Sequence, residues 1–209
     1  MPLLDPLLAV AALLVALALK PWRVAAAAPP AWPALACWAT MPLLWSLDRV
    51  AGTPLLQPLS GAGLLLLMLG WPLTVLALLP VLGLITLLSG LDAAEALHRT
   101  VWLGLVPATL ALGLGAAMRR WLPHHLFIYI LGRGFFITML AAAAAGALAL
   151  GLTGAPVGSD PADVLMARWL SASGEAFITG MLVAIFVAFR PHWLATYSDR
   201  LYLLPPGQP

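Results

Sequence analysis

The chain has 209 residues, of which 63% are hydrophobic and 9% are charged, and its mean hydropathy is +1.01. Because about a quarter of the residues in a soluble domain are charged, this composition excludes a water-soluble globular protein and indicates an integral membrane protein. The formal net charge of +2 comes from ten basic and eight acidic residues scattered along the chain. They form no basic patch, so we expect no nucleic-acid partner.

Apolar stretches long enough to cross a bilayer recur from one end of the chain to the other. A transmembrane helix needs about 20 apolar residues, and about 17 to 25 are tolerated. We therefore predict an all-α, polytopic bundle of transmembrane helices, embedded in the lipid bilayer and forming a single domain over residues 1–209. The predicted spans cover residues 3–19, 31–47, 54–69, 72–89, 94–118, 126–152 and 172–189.

The first stretch resembles a signal peptide in length but not in charge. It contains Asp5 where a signal peptide has basic residues, and its own basic residues, Lys20 and Arg23, follow the apolar run. We interpret it as a retained span, with cleavage after the small residues 25–28 as the alternative.

Residues 54–89 are too long for one span and are interrupted by Gly70-Trp71-Pro72. Glycine is favoured just after a helix end, and proline is favoured in the first turn of a new helix. The tripeptide therefore predicts a tight turn between two spans.

Positive residues favour seven spans over six, because cytoplasmic loops are enriched in Lys and Arg. Seven spans with the N-terminus outside and the C-terminus inside place six of these residues inside and three outside, whereas six spans give five and four. We predict seven spans and keep six as the alternative. The inner residues are Lys20, Arg23, Arg119, Arg120, Arg190 and Arg200, and the outer ones are Arg49, Arg99 and Arg168.

Motifs for catalysis are missing from the sequence. It contains neither the GxxxxGK[ST] loop that cradles nucleotide phosphates nor the HExxH pair of a metalloprotease, and its four histidines lie in predicted loops or at helix ends. We therefore expect no enzymatic activity and no resident cofactor.

Two ionisable residues lie within predicted spans, where a charge costs at least about 2.5 to 3.5 kcal/mol on insertion scales. Arg133 is either a structural intramembrane charge or part of a polar cavity. Glu175, about one turn inside the predicted outer end of the last span, is either an interfacial carboxylate or a ligand that faces a pocket open to the outside. Thr179 lies four residues later, on the same helix face as Glu175.

Five sequence segments carry a family resemblance: residues 61–71, 122–129, 134–136, 174–181 and 190–203. The most specific is Gly-Glu-Ala-Phe-Ile-Thr-Gly-Met at residues 174–181. Through these segments, which cover roughly residues 50–203, the chain resembles the CbiM-type membrane permeases of energy-coupling-factor (ECF) transporters.

The resemblance implies a substrate-binding membrane subunit of an ECF-type importer in the bacterial cytoplasmic membrane. A coupling membrane subunit and ATPase subunits are its implied partners. The implied substrate is a transition-metal cation such as cobalt or nickel, and the implied metal ligand is Glu175. Gln57 and Thr179 complete the expected substrate-binding residues.

The chain departs from the family at two expected histidine ligands. Pro2 stands at the second position of the chain, and Pro58, beside Gln57, stands where the other histidine is expected. Nitrogen ligands suit cobalt and nickel. Their replacement favours the alternative function, which is a non-transporting assembly, sensor or scaffold protein that keeps the fold without the metal site.

Overall fold

A computed structural model describes residues 3–22, 31–50, 58–156, 158–198 and 202 of the chain. All regular structure in these ranges is helical, without a strand. The predicted all-α class is therefore confirmed.

Eight helices account for most of the described residues. In chain order they are α1 (Leu4–Ala18), α2 (Trp32–Trp45), α3 (Leu47–Val50), α4 (Ala62–Leu69), α5 (Trp71–Ser89), α6 (Ala93–Trp121), α7 (Ile128–Thr153) and α8 (Pro161–Phe189). A 3₁₀ turn, Pro191–Trp193, follows α8. The hydrogen bonding of α6 and α7 is π-helical over Thr100–Leu105 and Ile128–Ile137, respectively.

Four of these helices, α5 to α8, are long and apolar enough to cross a membrane. They contain 19, 29, 26 and 29 residues, while α1 is an apolar helix of 15 residues and α2 has 14. The length and composition of α5 to α8 confirm that the protein is compatible with a multi-pass membrane location.

Between residues 54 and 69, where we expected a full span, the described helix is only Ala62–Leu69, and residues 51–57 lie outside the described part of the chain. This helix, α4, is about 12 Å long at 1.5 Å per residue. It starts late because Pro58 has no N–H to donate and because Gly61 adopts a left-handed conformation with φ of +71°. It ends at Gly70, whose φ of +77° separates α4 from α5 at the expected tripeptide.

The last helix begins at Pro161 rather than at residue 172. Its start has the usual capping signals, because the Asp160 side chain accepts a hydrogen bond from the Ala162 N–H and Pro161 occupies the first turn. We had assigned this polar segment to a loop. Glu175 consequently lies near the middle of α8, about 21 Å from the helix start, and not near its end.

The short helix α4 lies at the centre of the bundle. Seven of its eight residues, 62–68, are buried, and it contacts α2, α5, α6, α7 and α8. A Cβ atom on Gly63 would lie 2.8 Å from the Thr138 methyl group, so α4 and α7 approach closely at this glycine. Because lipid cannot hydrogen-bond to backbone groups, both ends of α4 need protein partners.

Candidate functional site

Glu175 binds the N-terminal end of α4. Its carboxylate is 5% exposed, and its two oxygens accept hydrogen bonds from the backbone N–H groups of Ser60 (2.9 Å) and Gly61 (3.1 Å). The Ser60 hydroxyl accepts a further bond from the Ala62 N–H at 3.0 Å. The first N–H groups of a helix have no partner within the helix, and its dipole favours a negative charge there. The Glu175 carboxylate thus provides both the hydrogen-bond acceptors and the negative charge that this helix end favours, in a medium where water cannot provide them.

The carbonyl groups of the same loop are bound from the opposite side. The Trp45 indole N–H of α2 is shared between the carbonyls of Leu59 (3.0 Å) and Ser60 (3.1 Å). Trp45 is fully buried. Together, Trp45 and Glu175 fix the backbone that leads into α4.

An apolar cavity of about 420 Å³ lies beside Glu175, between α2, the start of α4 and α8. Its volume falls in the range of small-molecule sites, about 300 to 1,000 Å³. Most of its lining is hydrocarbon, including Leu44, Leu64 and Phe186, while Glu175 supplies a carboxylate and Thr179 a hydroxyl. The expected pairing of Glu175 and Thr179 on one face is therefore present, but around a cavity that is mainly apolar.

Two sulfur atoms of α2 also lie at this cavity. A Cβ atom on Gly61 would lie 3.8 Å from Sγ of Cys37 and 3.9 Å from Sδ of Met41, so both sulfurs flank the glycine whose N–H binds Glu175. Neither Cys37 nor Met41 was among the site residues predicted from the sequence. Their spacing of four residues, which places them on one helix face, is the signal that could have paired them.

The C-terminal end of α4 is bound by the segment that follows α8. Backbone N–H groups of Ala195 and Thr196 donate to the carbonyls of Met68 and Leu67, both at 3.3 Å, and the Thr196 hydroxyl donates to Leu67 at 3.1 Å. Since this hydroxyl proton is used, the Tyr129 hydroxyl donates to Thr196 at 2.8 Å. The last carbonyls of α4 are thereby paired.

Arg133 lies close to this C-terminal end and outside the apolar cavity. It is 3% exposed, its Nη1 donates to the Thr196 carbonyl at 3.5 Å, and its guanidinium lies 5.8 Å from the centre of the Tyr129 ring. Gly115 of α6 makes room for it, because a Cβ atom there would lie 2.9 Å from Nη2. Arg133 is thus a buried charge near the C-terminal end of α4, whereas Glu175 lies at its N-terminal end.

A second cavity, which we call the vestibule, has a volume of about 250 Å³ and contains several charged and polar side chains in its lining. It is lined in part by Asp48, His98, Arg99, Trp102 and Arg168. A narrow crevice lined by Arg168, Ser171 and Glu175 lies beside it. Arg168 therefore belongs to both spaces, whereas sequence analysis treated it only as a loop charge.

Most charges around the vestibule are paired. The Arg99 guanidinium donates to both carboxylate oxygens of Asp48 at 2.7 Å, and this hydrogen bonding holds the pKa of the Asp48 carboxyl below its usual value. His98 Nδ1 lies 2.8 Å from the carboxylate of Asp5, which also accepts a hydrogen bond from the Trp102 indole at 3.0 Å.

The remaining predicted site residue, Gln57, lies outside the described residues. Among the residues that are described, no group of three or more His, Cys, Asp or Glu side chains converges in a metal-binding arrangement. Pro58 lines the vestibule, not the apolar cavity.

Comparison of the chain with family models, with curated proteins and with solved structures finds no match.

Proposed function

We propose that the chain is the substrate-binding membrane subunit of an ECF-type importer in the bacterial cytoplasmic membrane, and that its substrate is a transition-metal cation. The observation that carries this proposal is the convergence of Glu175, Cys37 and Met41 on Gly61 at the edge of the apolar cavity. Carboxylate, thiol and thioether groups are transition-metal ligands, and sulfur in particular favours the softer ions. Cobalt and nickel are the first cations to test, followed by zinc and copper.

The remaining parts of the proposal come from the sequence. Seven spans, with the N-terminus outside and the C-terminus inside, follow from the distribution of Lys and Arg. The sequence has no phosphate-cradling loop, so a coupling membrane subunit and ATPase subunits would supply the energy for transport.

Metal content of the purified full chain tests this function. Cells grown with added cobalt, nickel, zinc or copper should yield protein that retains one of these metals through purification, as measured by inductively coupled plasma mass spectrometry. Cys37→Ala and Met41→Leu should lose the metal and change the melting temperature only slightly, because the thiol makes only a long contact of 3.8 Å to the Gly61 carbonyl and Leu is close to Met in volume. Met166→Leu, a substitution at an exposed position of α8, is the matched control and should keep the metal.

Uptake measurements extend the test to transport. Cells that carry the ATPase and coupling subunits of an ECF transporter should accumulate the metal only when they also express this chain. Wild-type protein that retains no metal and supports no uptake would overturn the proposal.

A non-transporting membrane scaffold is the second candidate, and one observation favours it. Both oxygens of Glu175 already accept backbone hydrogen bonds, so this carboxylate has a structural role without any substrate. Under this function, Cys37→Ala and Met41→Leu would change neither metal content nor uptake, while substitutions at Glu175 would still destabilise the protein.

A further inference from the structure

We infer that the vestibule is a binding site for an oxyanion, a carboxylate or phosphate group, and that Arg168 is the residue that recognises it. This inference does not depend on the metal site, because it concerns a different cavity and different side chains.

Most of the charges that surround the vestibule are paired. Arg99 neutralises Asp48 through two hydrogen bonds, and His98 is paired with Asp5. The nearby Glu95 carboxylate lies 3.3 Å from Arg99 and 3.1 Å from Arg49. Arg168 has no carboxylate within ion-pair distance among the described residues. It is therefore the cation of the vestibule lining that forms no ion pair in the described part of the chain, and it is the lining group that can attract an anion.

The Arg168 guanidinium has a hydrogen-bond donor that is not used within the described part of the chain. Its Nη1 donates to the carbonyl of Gly146, whereas its Nε–H is buried and has no acceptor within the described part of the chain. Leaving a buried donor of a charged group without an acceptor is more costly than leaving a neutral donor unpaired. Two oxygens of a carboxylate or phosphate group match the Nε edge of a guanidinium and can accept two parallel hydrogen bonds from it.

Packing of its aliphatic stem holds Arg168 of α8 at the two cavities. It is half-buried and lines both the vestibule and the crevice, and close packing of its aliphatic stem against Gly146 holds it there. A Cβ atom on Gly146 would lie 3.1 Å from Cδ of Arg168. A fixed stem leaves less rotamer entropy to lose when the guanidinium binds a ligand.

The oxyanion could come from a dissolved small molecule or from a lipid headgroup, and two measurements on the purified full chain distinguish these sources. In the first, sodium phosphate and sodium acetate replace sodium chloride at constant ionic strength while the melting temperature is recorded. In the second, native mass spectrometry compares binding of phosphatidylglycerol with that of zwitterionic phosphatidylcholine. We expect stabilisation by phosphate or acetate for a soluble source, and preferential binding of phosphatidylglycerol for a lipid source.

Substitutions assign the effect to Arg168. Arg168→Gln should weaken oxyanion binding about tenfold or more. Arg168→Lys keeps the charge and a donor for Gly146 but lacks the Nε edge, so it should weaken oxyanion binding by a smaller factor. This variant keeps the test decisive if the Gln variant does not fold. Arg49→Gln is the matched control, because Arg49 is an exposed arginine outside the vestibule lining, and it should bind like wild type.

The inference is overturned if wild-type protein does not distinguish phosphate or acetate from chloride, nor phosphatidylglycerol from phosphatidylcholine. Equal binding by wild type and by both Arg168 variants would overturn it as well.

Discussion

The two ends of α4 are bound in contrasting ways. At its N-terminus a single charged side chain, Glu175, accepts two backbone hydrogen bonds directly. At its C-terminus backbone and hydroxyl groups of Ala195 and Thr196 bind the carbonyls, and Arg133 acts on them indirectly, by donating to Thr196 and lying over the Tyr129 ring. Each charge has the sign that the helix dipole favours at its end. The comparison teaches that a charged residue within a membrane protein can serve a short internal helix, so its presence alone does not identify a substrate site.

The largest loss of stability should come from breaking the hydrogen bonds at the N-terminal end of α4. Glu175→Gln replaces one acceptor oxygen with an NH₂ group that faces a backbone N–H, and it removes the charge from both bonds. We expect the free energy of unfolding to fall by about 2 to 4 kcal/mol, since hydrogen bonds to charged groups contribute about 1.5 to 3 kcal/mol each. The melting temperature of the detergent-solubilised protein measures this effect. Glu95→Gln, at a more exposed carboxylate of α6, is the matched control and should change stability by less than about 1 kcal/mol. Equal melting temperatures for the two variants would contradict the capping role.

A smaller effect is expected at the C-terminal end. Thr196→Val removes the hydroxyl that links Leu67 and Tyr129 but keeps the backbone N–H that also binds Leu67. We expect a loss of about 1 to 2 kcal/mol in thermal or denaturant unfolding. Thr86→Val provides the comparison, because its hydroxyl donates only to Leu82 within the same helix. A loss as large as that of Glu175→Gln would show that the two ends contribute equally.

Arg133→Leu should cost still less, about 1 kcal/mol or below. The hydrogen bond from Arg133 to Thr196 is long at 3.5 Å, and replacing the guanidinium with an apolar side chain relieves the cost of burying a charge. Unfolding of the Arg133→Leu and Thr196→Val variants, alone and combined, measures the coupling between them. Strict additivity would mean that Arg133 does not act through Thr196.

The smallest effect belongs to an ion pair that forms no hydrogen bond to either end of α4, and it calibrates the other three. Because Arg99 lowers the pKa of the Asp48 carboxyl in the folded protein, the stabilisation is present above the ordinary pKa of about 3.9 and is lost as the pH falls below it. For this partly exposed pair we expect less than about 1 kcal/mol. The difference in melting temperature between wild type and Asp48→Asn should therefore be present at pH 6 and shrink below pH 4. A difference that grows on acidification would contradict this assignment.

The lengths of the apolar stretches predicted the long helices well. The bounds of α5, α6 and α7 lie within about three residues of the expected spans, because each is a continuous apolar run ending at glycine, proline or charged residues. The start of α8 was missed, since Asp160, Pro161 and Asp163 look like a polar loop when hydropathy alone is considered. The brevity of α4 was also missed, because a buried helix inside a bundle is as apolar as a membrane span.

The candidate site could be predicted only in part. The cost of placing a charge within a membrane singled out Glu175 and Arg133 as unusual residues, and both are buried. The hydrogen-bond partner of each is, however, a backbone group distant in sequence. Such partners carry no side-chain signature, so no pattern of residue types could reveal them. The same holds for Arg168, whose environment depends on a helix boundary that hydropathy placed wrongly.

The segment that binds the C-terminal end of α4 is synthesised late. Leu67 and Thr196 are separated by 129 positions, and the ribosome synthesises α4 long before the residues that bind its carbonyls. Until residues 194–198 emerge, the end of α4 has no protein partner and is poorly suited to bare lipid. The hydrogen bonds that complete the C-terminal end of α4 can therefore form only after α8 and the segment that follows it have been synthesised.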